Sequence, residues 1–460
     1  MPSMTDRFIP PMTFRTASYI LILVVYLPGL LVFTRRKRIL HFPIVSMTFL
    51  GMFVFNAVGS IFVMYPESWG RPDFFTPEYV GLLVLQAVMF YLVVTPYLLF
   101  SNPQKRRISQ NPDFDRPFLK VLLVLMTALV AIYVWKVGTP PLLTIMSSSL
   151  NLQDMIRIRT ERVYGLTNFW FYNLGFTVIP LFASIFAMGR HVFSEKPSPR
   201  LKWVVLLCIL VNALPGGKGH VLDFCTILML SYFLLTGWQE ESSASLALPG
   251  MRSHPLWKRK KPQFSYWKMS CLLGIAFVPV LFMYKVYLGP MMRFSDLFRP
   301  LLYRIVGVYS EAMAGCTVYV KQYFFLDGVT LPTVHGLLGH QRVNLDALMH
   351  QFMFGANGSV TLSATAEGYI NFGWTGFVLM CGVTYVSMII VEQGLNLLKS
   401  DLLTLTFIAF YAGIATKISQ IGLFAVFVSL TYTTLVVMLI VTRKSLELGV
   451  ELKRTRWNRG

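Results

Sequence analysis

Apolar stretches of nearly twenty residues recur along this chain, and no other feature so narrows what it can fold into. They fall at about 17–34, 43–65, 79–100, 119–136, 168–189, 202–215, 220–238, 268–288, 368–391, 402–416 and 420–442. A helix needs roughly 20 residues to cross a bilayer. Inside lipid every backbone N–H and C=O must find its partner within the chain, so these runs read as helices. The two-residue alternation of an outer-membrane barrel is absent. The reading is an all-α polytopic membrane protein of about eleven spans, within a range of roughly ten to thirteen. The runs at 202–215 and 402–416 are short, and are expected to tilt or to end at an internal cavity. Composition agrees: 55% of residues are hydrophobic, 13% are charged and mean hydropathy is +0.58, outside the range of soluble domains.

Lys and Arg set the expected orientation. The segments 35–42, 101–118, 190–201, 239–267, 392–401 and the tail from Arg443 hold about 25 cations, counting the boundary residues Lys202 and Lys268; the opposite set holds about 13. The first set reads as cytoplasmic, which places the N-terminus outside and the C-terminus inside. Lys258-Arg259-Lys260-Lys261, in the basic cytoplasmic loop 239–267, reads as an anchor on anionic lipid heads. This anchoring accounts for most of the net charge of +20. With no recognition module in view, nucleic acid is not an expected partner.

Cys208, Cys225, Cys271, Cys316 and Cys381 are scattered, without a CxxC pair, and suit small buried apolar roles better than disulfide or metal roles. The first apolar run is followed by Arg35-Arg36-Lys37-Arg38 rather than preceded by cations, so it reads as a retained span. The whole of 1–460 reads as one integral membrane domain. Two of its outward segments, 137–167 and 289–367, are long enough for amphipathic helices and rich in arginine where arginine is normally scarce. Segment 299–326 is expected to lie on the membrane or over the bundle. The short loop 66–78 draws no special reading.

Four constellations could carry chemistry. Arg157, Arg159 and Arg162, with Asp154 and Glu161, offer guanidinium forks that match phosphate oxygens. A solvated helix with internal pairs explains them equally well. Pro215-Gly216-Gly217-Lys218-Gly219-His220 joins two spans, so a helix starting near His220 would offer free N–H groups beside Lys218. A plain tight hairpin is the alternative, because GxxxxGK[ST] is incomplete. Asp223, one turn in, would pair with Lys218. Arg304, Gly307, Glu311 and Gly315, at offsets of 3, 7 and 11, would share one helical stripe, Arg and Glu projecting together and the glycines packing closely. A structural salt bridge is the plainer reading. Arg293 and Arg299 add to this rim. His335, His340, Arg342, His350, Asn357 and Glu367 make the fourth group; histidine spacings of 5 and 10 fit no common zinc pattern, and sugar recognition suits the mixture better. Glu367, at a membrane boundary, is either a general base or a helix cap.

At these residues the chain resembles the O-antigen polymerase (Wzy) family. The similarity runs over about 150–440 and rests on Arg157–Arg162, the Gly-Gly-Lys-Gly hairpin, Arg304 with Gly315, and Glu367-Gly368-Tyr369-Ile370-Asn371-Phe372-Gly373. An Arg-x10-Gly pattern belongs to two outer loops of some family members; Arg304 and Gly315 fit it, and the 157–162 loop does not. The resemblance implies a GT-C-like glycosyltransferase of the bacterial inner membrane. It would use no metal or other cofactor and would join undecaprenyl-pyrophosphate-linked oligosaccharide repeats on the periplasmic face. A flippase and a chain-length regulator are implied partners. The chemistry would need a cationic clamp for the lipid pyrophosphate, expected at Arg157, Arg159, Arg162, Lys218 and Arg304. A base is expected at Glu367 or His220, with Glu311 third. Arg342, Asn357 and Tyr369 would contact sugar. An O-antigen ligase shares this architecture and differs in product. A flippase or transporter would show short outer loops and more charge within the spans.

Overall fold

A computed structural model describes residues 11–101, 112–140, 143, 173–194, 200–215, 218–246, 293–330, 343–355, 360, 362–397 and 401–417. The described chain is helical, and seven helices are long and apolar enough to cross a membrane. They are Met12–Phe33, Pro43–Met64, Pro77–Phe100, Phe114–Lys136, Leu174–Phe193, Val221–Ser242 and Ala364–Asn396. Leu402–Ala415 and Arg200–Ala213, each of 14 residues, are the two runs expected to be short. The runs at 268–288 and 420–442 lie outside the described residues, as do Arg157, Arg159, Arg162, His335, His340, Arg342 and Asn357.

The helices are α1 (Met12–Phe33), α2 (Arg36–His41), α3 (Pro43–Met52), α4 (Ile61–Met64), α5 (Pro66–Trp69), α6 (Pro77–Phe100) and α7 (Pro112–Val137). There follow α8 (Ile179–Phe193), α9 (Arg200–Ala213), α10 (Lys218–Leu246), α11 (Phe294–Leu302), α12 (Val308–Tyr323), α13 (Leu345–Phe354), α14 (Ala364–Asn396) and α15 (Leu402–Ala415). π-helical stretches interrupt at Phe53–Val58, Asn173–Val178 and Tyr303–Gly307.

Contacts divide the chain into two compact units: Met1–Asn102, Phe298–Val391 and Ala415–Val426 form the first, and Pro103–Leu297, Glu392–Ile414 and Phe427–Gly460 the second. The first is centred on aromatic rings. Phe90 meets Phe33, Phe49 and Tyr385 at centroid distances of 5.3, 5.3 and 5.2 Å. Pro28 interrupts α1. There the Gly29 N–H donates to the Tyr91 hydroxyl (3.1 Å), which donates in turn to the Val25 carbonyl (2.8 Å). The Tyr91 hydroxyl thus stands inside the i→i−4 ladder that proline disturbs, and both freed backbone groups are satisfied. Asn56, in the first π stretch, donates to Gln86 across the buried core at 2.7 Å.

The second unit packs Phe118 on Phe186 (5.0 Å), Tyr133 on Phe176 (4.5 Å) and Phe182 on Phe407 (4.9 Å). Two of its polar side chains mend helix irregularities. Asn212 donates to the Phe176 carbonyl (2.7 Å) in the second π stretch, and Gln239 to the Val192 carbonyl (2.6 Å) at the end of α8. The four described cysteines are free thiols; Cys208, Cys316 and Cys381 are buried and Cys225 is partly so.

Candidate functional site

One end of the first unit gathers distant segments through charge and aromatic contacts. Here α1, α6 and α14 begin, and the loop between α4 and α6 meets α12. The loop is fixed by its own chemistry. Pro66 opens α5 at a position that needs no N–H, and Gly70 ends it at φ 64. Arg71 N–H then returns to the Pro66 carbonyl at 3.0 Å. Asp73 accepts the Phe75 N–H at 3.1 Å and pairs with Arg15 of α1 at 2.5 Å. Thr76 caps α6 by accepting the Tyr79 N–H (3.1 Å), and its hydroxyl meets that of Thr317 (2.7 Å). Lys321 and Glu78 pair at 2.7 Å.

Arg71 is therefore held beside α12. Its Nε donates to Glu311 Oε1 at 3.3 Å and its Nη2 to Glu311 Oε2 at 3.1 Å, a two-pronged fork. The same Nη2 donates to the Tyr303 hydroxyl at 2.6 Å, and that hydroxyl donates to Glu311 Oε2. The guanidinium stands 4.2 Å from the Tyr303 ring centre and 5.0 Å from that of Phe354. Glu311 is 2% exposed and Arg71 23%. Burial pushes the Glu311 carboxyl above its ordinary value, while the Tyr303 hydroxyl and Arg71 pull it down. The Tyr303 phenol is raised by burial first and by the Glu311 charge second. Glu311 also lies in the first turn of α12, where a helix favours negative charge. A row of rings continues away from Tyr303: Phe62 at 5.5 Å, then Trp69 at 4.3 Å, with Arg299 lying 5.2 Å over Trp69.

This geometry corrects the expected stripe. Arg304 is exposed and Glu311 buried, so they do not project together. The π stretch Tyr303–Gly307 is the reason. A π turn takes one residue more than an α turn and displaces the face by roughly 100°. The close packing of glycines does occur: a Cβ at Gly307 would stand 2.6 Å from the Phe62 ring, and one at Gly315 would stand 2.9 Å from the Met353 sulfur. Of the two places expected for 299–326, the packing of α12 fits one over the bundle. Every residue from Ser310 to Val318 is buried within the unit. With both carboxylate oxygens engaged, Glu311 positions Arg71 and Tyr303 and is not a free base.

A second polar cluster joins Glu367, Thr330 and Asn371. Thr330 donates to Glu367 Oε1 at 3.2 Å. Asn371, fully buried, donates to Thr330 (2.6 Å) and to the Glu367 carbonyl (2.7 Å), and accepts the Gly328 N–H (2.9 Å). Ser363 caps α14 by accepting the Ala366 N–H at 3.2 Å, so Glu367, partly exposed in the first turn, is not the N-cap residue. The helix breaks at Phe372 and at Gly373 (φ 63), so Tyr369 precedes the break. Tyr369 is 5% exposed and set edge-on to Phe325 and Trp374; the open rings beside it are Phe325, Phe372 and Trp374.

Lys218 and His220 lie in the first turn of α10, which begins at Lys218 and belongs to the second unit. Arg71 and Tyr303 are the residues that sequence reasoning missed. The loop 66–78 holds a single cation, so the count of Lys and Arg gave no signal at Arg71. Among the described residues no three His, Cys, Asp or Glu side chains converge as metal ligands would. Compared with family models, curated proteins and solved structures, the chain matches none.

Proposed function

We propose that this chain is a membrane glycosyltransferase. In this reading it joins oligosaccharide repeats carried on undecaprenyl pyrophosphate at the outer face of the bacterial inner membrane, with the N-terminus periplasmic and the C-terminus cytoplasmic. The observation that carries the reading is the gathering of Arg71, Arg299, Arg304, Tyr303 and Glu367 at one end of the first unit. This is the end from which membrane helices depart.

The chemistry asks for what that end holds. Departure of a lipid pyrophosphate builds negative charge, and guanidinium groups stabilise it. An acceptor hydroxyl needs a carboxylate within hydrogen-bond reach. Glu367 is the base: its carboxyl is partly exposed and is held by Thr330. Arg304, exposed and without an ion pair among the described residues, reaches the donor. Exposed Phe325, Phe372 and Trp374 offer apolar faces to sugar beside Glu367. Further spans to a total of about eleven and a GT-C-like arrangement belong to the same proposal, as do a flippase and a chain-length regulator as partners.

Deleting the gene and resolving surface glycan by length tests the reading. A ladder that collapses to a single repeat unit is the expected result, and Arg304→Ala in a chain that still reaches the membrane should reproduce it. An unchanged ladder in the deletion strain would rule the polymerase out. Loss of glycan from lipid A core, with lipid-linked polymer intact, would mark a ligase.

A further inference from the structure

We propose that the corner between α1 and α3 holds an anionic phospholipid, its phosphate on Arg35, Lys37 and Arg38 and its acyl chains on exposed apolar side chains of α1 and α6. This corner lies at the far ends of α1 and α6 from Arg71 and Glu311, and the proposal does not depend on the glycosyltransferase reading. Arg35-Arg36-Lys37-Arg38 begins two residues after the membrane helix Met12–Phe33 ends, at the depth of lipid phosphates. No Asp or Glu occurs from Arg7 to Pro66. Arg35, Lys37 and Arg38 are exposed and form no ion pair among the described residues. Their counter-charge has to come from outside this stretch of chain, and an anionic membrane supplies it.

Packing fixes the cations in place. Ile39 and Leu40 are buried on one face of α2. At about 100° per residue, Lys37, Arg38 and His41 fall together on the opposite face. The Arg38 guanidinium stands 5.9 Å from the centre of the Phe42 ring. Phe42 is buried and set edge-on to Tyr97 of α6 at 5.5 Å. Arg38 is thereby tied to the last turn of α6. Apolar cover for acyl chains lies alongside. Leu99 and Phe100, just beyond Tyr97, are 76% and 87% exposed, and Leu27, Leu31 and Val32 of α1 are exposed as well. Setting the direction of a span takes positive charge alone, which lysine supplies as well as arginine. Three of these four cations are arginine, whose planar fork matches two phosphate oxygens at once. A phospholipid joins both halves of the corner, phosphate on the cations and chains on the exposed leucines and phenylalanine.

The test uses the full chain in nanodiscs of equal phosphatidylglycerol and phosphatidylcholine, released into a mass spectrometer that counts the lipids retained. Wild type should retain phosphatidylglycerol in preference to phosphatidylcholine. Arg35→Lys/Arg36→Lys/Arg38→Lys keeps every charge, and with it the orientation of α1, but loses the forks. It should lower the preference by about threefold or more. Phe42→Leu also keeps the charge and frees Arg38, and should lower the preference by a smaller factor. As a control, Arg252→Lys/Arg259→Lys makes the same exchange in the basic loop 239–267 and should change nothing. Equal retention of the two lipids by wild type would overturn the site. An undiminished preference in the triple lysine variant would do so too, because diffuse charge would then account for it. An equal loss in the control pair would show that the corner is not special. Excess glycerol phosphate, which has the phosphate and no acyl chains, should leave the retained lipid in place; its displacement by that probe would refute the apolar half of the site. If Phe42→Leu does not fold, the triple lysine variant decides alone.

Discussion

The two units put their buried polar groups to partly different uses. In the second, Asn212 and Gln239 turn inward to satisfy backbone carbonyls left open by a π stretch and a helix end. They repair helices and hold no charge. In the first, a carboxylate 2% exposed is held under an arginine 240 residues away, and another arginine is tied to Asp73 across 58 residues. Taking charge out of water costs several kcal/mol per ion, and excellent geometry only offsets it. The second unit buries carboxylates too, Asp115 at 6% exposure and Glu392 at 1%; the first adds the fork that Arg71 makes on Glu311. A fixed guanidinium with one open edge is the return that the first unit obtains.

The comparison can be broken in four ways, beginning with the largest expected effect. Arg71→Ala strands the Glu311 carboxyl, and should destabilise by about 3–5 kcal/mol. Thermal unfolding of the detergent-solubilised chain measures it, with increased hydrogen exchange over 303–323 as the local sign. Glu367→Gln should lower chain extension by about 100-fold or more while donor binding is kept; single-turnover assays with a lipid-linked repeat unit separate the two. In the second unit, Asn212→Leu leaves only a carbonyl unmatched and should cost about 1–3 kcal/mol. It should leave pyrophosphate binding untouched. A loss of pyrophosphate binding there would erase the contrast between the units.

The smallest effect is a slope with pH. Burial raises the Glu311 carboxyl in the folded chain, so between its ordinary value and the raised one the native state holds a proton that the unfolded state has released. Stability should therefore fall as pH rises through that window. Melting midpoints measured across it should decline for wild type, and Glu311→Gln should remove this contribution.

The membrane helices were legible in the sequence because length and hydropathy are local properties. Even the two short runs, at 202–215 and 402–416, emerge as helices of 14 residues. The candidate site was legible only in part. Arg304 was flagged by arginine on the disfavoured side and Glu367 by its place at a membrane boundary, and both lie at the polar end of the first unit. Three particulars were hidden. A stripe drawn from 3.6-residue spacing from Arg304 to Glu311 assumes an unbroken α-helix, and the π stretch Tyr303–Gly307 defeats it. The partner of Glu311 lies in a loop with a single arginine, too sparse to stand out in a count of charges. The cap of α14 fell to Ser363, four residues before the carboxylate considered for it.

The central claim is that cations gathered at one end of the first unit hold a lipid diphosphate while sugar is transferred. Its most direct measurement is product length from purified chain in nanodiscs supplied with a lipid-diphosphate-linked repeat unit. The account predicts a ladder of extended lipid-linked glycans that disappears with Arg304→Ala. No extension by wild type, or an undiminished ladder from the variant, would contradict it.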